Sequence, residues 1–112
     1  MNKHNPDDLT NLTMLELFRV EAENQVAVLT SGLLELEQGR ATPERLEDLM
    51  RAAHSFKGAA RIVDLEPAVR IAHALEDCFV LAQQGQLALR QPEVDLLLRG
   101  TDLLLQISRQ TE

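Results

Sequence analysis

The chain has 112 residues, enough for one hydrophobic core and too few for two, so a single domain is expected. Hydrophobic residues make up 45% of it but aromatics only 3%, with no Trp or Tyr, so the core must be built from Leu, Val, Ile and Ala, as in packed amphipathic helices. A formal net charge of -7, from 18 acidic against 11 basic residues, disfavours a polyanionic partner and argues against nucleic acid.

Cys78 is the only cysteine, which excludes an intramolecular disulfide and a multi-cysteine zinc site and fits a reducing cytoplasm. The polar start MNKHNPDDLTNL lacks the apolar stretch of a signal peptide, and no run approaches the roughly 18 to 20 apolar residues of a membrane span. A cytoplasmic protein without direct membrane contact is expected. Residues 1–8, with a solvated His4, read as a flexible leader, and 9–112 as the folded domain.

From about Thr13 to Gln38, Leu15, Phe18, Ala22, Val26, Leu29, Leu33 and Leu36 recur at three- and four-residue steps and predict a first helix, stopped by Gly39. Thr42-Pro43 is a cap and first-turn pair opening a second helix to about Val63, with an inward stripe through Leu46, Leu49, Met50, Ala53, Phe56, Ala60 and Val63. After a break at Asp64-Leu65-Glu66, Pro67 begins a third helix, carrying Ala68, Ile71, Ala72, Leu75, Cys78, Phe79 and Ala82 to a stop at Gly85. Gln91-Pro92 starts a fourth, where the run Leu103-Leu104-Leu105 suggests burial on more than one side. No segment alternates like a strand and the connections are short. The fold class expected is all-α, an antiparallel up-and-down four-helix bundle.

The stretch AAHSFKGAAR at 52–61 is unusual inside a helix. His54 falls about 110° from the centre of the apolar arc, at the edge of the buried face. Lys57 and Gly58 are its i+3 and i+4 neighbours and Arg61 follows a turn later, so one flank bears two cations and a gap. Gly58 costs a helix interior about 1 kcal/mol relative to Ala. Open access explains it: a large partner can approach the imidazole closely, while Lys57 and Arg61 attract an anion such as a phosphoryl group. The bland reading makes His54 a boundary residue and Gly58 a close-packing position.

On the third helix Val69, His73, Glu76 and Val80 form a second line outside the apolar arc. If the flanks of the second and third helices meet, Glu76 can accept a hydrogen bond from one ring nitrogen of His54 and leave the other unprotonated as a nucleophile. His54, His73 and Glu76 can also be written as a metal site, but the carboxylates do not repeat in the manner of di-metal bundles, and no metal is assigned. Cys78 reads as a small core residue and Asp77 as a solvated charge.

The segments AHSFKGAARIV at 53–63 and AHALED at 72–77, set in a four-helix pattern, resemble the histidine phosphotransfer (HPt) domain of CheA-type histidine kinases. The resemblance covers nearly the whole chain. It implies that His54 is the phosphoacceptor, that Glu76 partners its other ring nitrogen, that Lys57 and His73 complete the polar network, and that Gly58 is the close-approach position. It also implies two partners, the ATP-binding domain of a CheA-type kinase and the receiver domain of a response regulator. Family members often carry a fifth helix that this chain lacks, so either an excised N-terminal domain of a larger kinase or a fragment whose last helix was trimmed is expected, monomeric in isolation. With no glycine-rich nucleotide loop, the domain is expected to be a carrier and not itself an enzyme, and to hold no cofactor, ATP and Mg²⁺ belonging to its partners. Two rivals stay open: a plain helical interaction module in which His54 is incidental, and a metal-binding bundle.

Overall fold

The computed structural model describes the backbone of residues 6–110 and the side chains of residues 13–110. Four helices follow in order, α1 (Pro6–Glu37), α2 (Pro43–Ile62), α3 (Glu66–Gln83) and α4 (Gln91–Gln110). Among the described residues α1 lies against α2 and α4, and α3 against α2 and α4, while the backbones of the diagonal pairs stay apart. That closed ring of chain neighbours is the expected antiparallel bundle. At 32 residues α1 outruns α2 and α4 by 12, and the molecule is a rod of 58 × 21 × 20 Å.

Local chemistry sets the helix ends. The Thr42 hydroxyl accepts the Arg45 backbone N–H at 3.1 Å, so Thr42 caps α2 as expected. Three helices close alike, with a left-handed residue and a backbone N–H reaching back five positions: Arg40 to the Glu35 carbonyl, Leu65 to Ala60 and Gln86 to Leu81. The left-handed residues are Gly39, Gly85 and, at the α2–α3 turn, Asp64 with φ 57°, a conformation Asp tolerates better than most side chains.

The start of α1 departs from the sequence reading. It begins at Pro6, not near Thr13, where the fixed φ of proline suits a first helical turn. Residues 6–8, read from the sequence as leader, are therefore helical in backbone. The rest of the expected leader, including His4, lies outside the described residues.

The core is aliphatic apart from Phe18, Phe56 and Phe79. Phe18 and Phe56 meet edge to face with ring centroids 5.8 Å apart, locking α1 to α2. Two expectations fail here. Val69 is buried, because the α3 flank carrying it is covered by α2. Leu104 is fully buried while Leu103 faces out, since one helix in a ring of four can give only one face to the core.

Candidate functional site

The site stands on the α2–α3 interface. Polar ties cross it, among them Gln83 Nε2 to Glu47 Oε2 at 2.7 Å and His54 Nδ1 to Glu76 Oε2 at 2.6 Å. These two lie seven residues apart on both helices, two turns of one antiparallel register. Core packing through Ala53, Phe56, Ala72 and Leu75, all buried, holds that register.

A carboxylate can only accept, so His54 Nδ1 carries the proton and donates it to Glu76. In the neutral ring Nε2 then keeps its lone pair, on a side chain 65% exposed. The other Glu76 oxygen, Oε1, accepts from Lys57 Nζ at 2.5 Å. Lys57 and Glu76 are only 12% and 13% exposed. Partial burial pushes the Glu76 carboxyl up, but the hydrogen bonds from Lys57 and then His54 outweigh it and hold the group below its ordinary value.

The remaining expected residues fall as follows. Arg61 is exposed and makes no ion pair among the described residues. Gly58 is exposed, and a Cβ built there meets nothing within 4 Å. Close packing inside the chain therefore does not explain this glycine, and the bland account of it fails. His73 does not join the network: its Nε2 sits 3.5 Å from Asp77 Oδ1, one turn along α3. The reason is angular, since Glu76 points to α2 while residue 73 is turned outward, where i+4 is its nearest neighbour. Lys57 differs in role from its reading as an anion attractor, because its charge is committed to Glu76.

Cys78 is half-buried, its thiol pushed up by burial and by Asp77, which suits a packing residue. Among the described residues no three His, Cys, Asp or Glu side chains gather in a metal-binding group, and no helix is long and apolar enough to cross a membrane. One feature escaped the sequence: an apolar groove of about 370 Å³ between α1 and α2, where Leu17 and Val20 face Ile62 and Val63. Its signal was present, because Leu17, Val20 and Ile62 are large apolar residues off the core stripes.

The Hpt domain family matches residues 13–109. This chain belongs to the Hpt domain family. The Hpt chain is 36% identical over 93 residues to the chemotaxis protein CheA of Rhizobium meliloti, covering 83% of this chain and 12% of the relative. It is 31% identical over 97 residues to CheA of Borreliella burgdorferi, covering 87% and 11%. It is 32% identical over 92 residues to the gliding motility regulatory protein of Myxococcus xanthus, covering 82% and 12%. The chain thus spans about an eighth of the length of these relatives. Among solved structures it is similar to the phosphorylated P1 domain of CheA3 in complex with CheY6 from R. sphaeroides, with TM-score 0.82, 25% identity, and coverage of 88% of this chain and 77% of that one. It is an Hpt domain of the CheA P1 kind.

Proposed function

We propose that His54 is the phosphoryl carrier of a chemotaxis-like two-component system. The observation that carries this is the 2.6 Å contact of His54 Nδ1 with Glu76 on an otherwise exposed ring, which presents a free Nε2 lone pair to solvent. In the loading step Nε2 attacks the γ-phosphorus of ATP held by a separate kinase domain, the bond to the β-phosphate oxygen breaks, and ADP leaves. The ring becomes cationic, and Glu76 stabilises that charge through the Nδ1 proton it keeps. In the unloading step an Asp carboxylate oxygen of a receiver attacks the phosphorus, the N–P bond breaks, and the neutral imidazole returns. Positioning dominates such transfers, so a rigid bundle suffices, with ATP and Mg²⁺ supplied by the partners.

Gly58 is the point of close approach and Arg61 the cation open to the incoming phosphoryl group. The groove at Leu17, Val20 and Ile62 seats the receiver beside Gly58. The P1 domain of the R. sphaeroides neighbour is phosphorylated and bound to CheY6, which supports a receiver as partner here. The parent is a CheA-type histidine kinase of the cytoplasm. The stretches LELFRVEAE at 15–23, MRAAHSFKGAARIV at 50–63 and AHALEDC at 72–78 favour WspE, the kinase of the Wsp surface-sensing system.

The experiment is radiolabelled transfer from a CheA-type kinase core and ATP to this domain, with His54→Gln alongside. Acid-labile, alkali-stable label absent from the mutant, placed on Nε2 by ³¹P–¹⁵N NMR, is expected. Equal labelling of the mutant overturns the assignment.

A further inference from the structure

Arg51 stands one turn before His54 on α2, 72% exposed, its Nε donating to Glu47 Oε1 at 2.8 Å. At 3.6 residues per turn, Lys57 and Arg51 lie about 60° to either side of His54. Lys57 is on the α3 side, where it reaches Glu76, so Arg51 is on the side turned away from α3. The imidazole divides in the same sense. Nδ1 is directed to Glu76, which leaves Nε2 at the tip of the ring on the opposite edge. Side chains on a helix also lean toward its N-terminus, so the ring of His54 lies over the turn that carries Arg51.

We propose that Arg51 binds the phosphoryl group carried on His54, and that Glu47 holds it in reserve until the group arrives. This rests on the phosphotransfer reading and adds to it the residue that holds the carried group. The other charges around the ring are committed or distant. Lys57 is 12% exposed and bonded to Glu76, and His73 sits on Asp77. Arg61 is two turns away, about 10 Å along the axis and displaced toward α3, so it draws an anion in without holding it.

The exchange of partners is favoured. Arg51 and Glu47 form an exposed i,i+4 pair, a weak contact. A phosphoryl group brings nearly two negative charges and three acceptor oxygens, and a guanidinium can bond two such oxygens at once. Glu47 is not left bare when Arg51 departs, because its Oε2 still accepts from Gln83 at 2.7 Å.

The test reads the phosphoryl group itself. Phosphoramidate loads an exposed imidazole without a kinase, and the ³¹P resonance absent from His54→Gln is followed through a pH titration. A bound guanidinium favours the dianion, so the midpoint should rise by about 0.5 pH unit in Arg51→Gln and return most of the way in Arg51→Lys. The rise should persist in a Glu47→Gln background, which removes the freed carboxylate as its cause. Arg61→Gln should move the midpoint less than half as far. Absence of the His54 resonance strikes the phosphotransfer reading and this proposal together. A resonance whose midpoint ignores Arg51, responds to it only when Glu47 is present, or follows Arg61 as strongly overturns this proposal alone.

Discussion

Lys57 and Glu76 form an ion pair at 2.5 Å across the α2–α3 interface, with side chains only 12% and 13% exposed. The pair makes Lys57 a positioning residue for the imidazole, since it fixes the carboxylate to which His54 is bound. Lys57→Met keeps the stem and removes the charge, leaving Glu76 Oε1 without its partner. The expected cost is about 1–2 kcal/mol in urea unfolding, discounted for partial solvent access. Single-turnover phosphorylation should slow by roughly 10- to 100-fold as the ring loses its anchor. Unchanged kinetics would remove Lys57 from the positioning role.

Gly58→Ala should stabilise the fold and impair transfer. The new methyl meets nothing inside the chain, so helix propensity alone acts and adds about 0.5–1 kcal/mol. The same methyl stands on the approach surface one turn from His54, and Gly58→Leu should slow transfer further. A Leu variant with wild-type rates would show that no partner comes close to this position.

Gly32→Ala should act in the opposite direction on stability. A Cβ there comes 2.6 Å from Leu49 Cδ2, and Leu49 is fully buried, so it has little room to yield. Overpacking of about 1–3 kcal/mol exceeds the propensity gain, and the thermal midpoint should fall while phosphorylation at 25 °C stays near wild type. A rise in midpoint would show that the α1–α2 contact is looser than the structure describes.

The depressed Glu76 carboxyl gives stability a pH limb. A group held below its ordinary value of 4.5 binds its proton less readily folded than unfolded. The stability it contributes is therefore present above that ordinary value and is lost as pH falls through the folded one. Glu47, held low by Arg51 first and Gln83 second, contributes to the same limb. Urea titrations between about pH 6 and pH 3 in a Glu47→Gln background should show a decline that Glu76→Gln flattens. Parallel slopes in the two proteins would detach Glu76 from the limb.

The sequence disclosed this fold where local chemistry decides it. Thr42-Pro43, Gly39 and Gly85 mark helix ends by backbone rules, and the core stripes of α1 to α3 emerge from periodicity. It disclosed His54, Gly58 and Glu76 as candidates by residue type and spacing. What it withheld depends on helix register and rotation: that Lys57 spends its charge on Glu76, that His73 turns to Asp77, that Val69 is covered. These are properties of two helices together, and one strip of residues does not contain the angle between them. The N-terminal turns of α1 escaped for another reason, because polar residues there leave no apolar period to detect.

The turn at Asp64 joins the two helices that build the site, and His54 and Glu76 are only 22 positions apart in the chain. The nucleophile is therefore oriented by one helical hairpin, with short loop closure and contacts close in sequence. Local opening of that hairpin is enough to undo it, without the melting of the whole bundle. Substitutions in α4 can thus lower global stability while the proton on Nδ1 stays where it is. A change at the Asp64 turn can disarm the imidazole in a molecule that is otherwise folded.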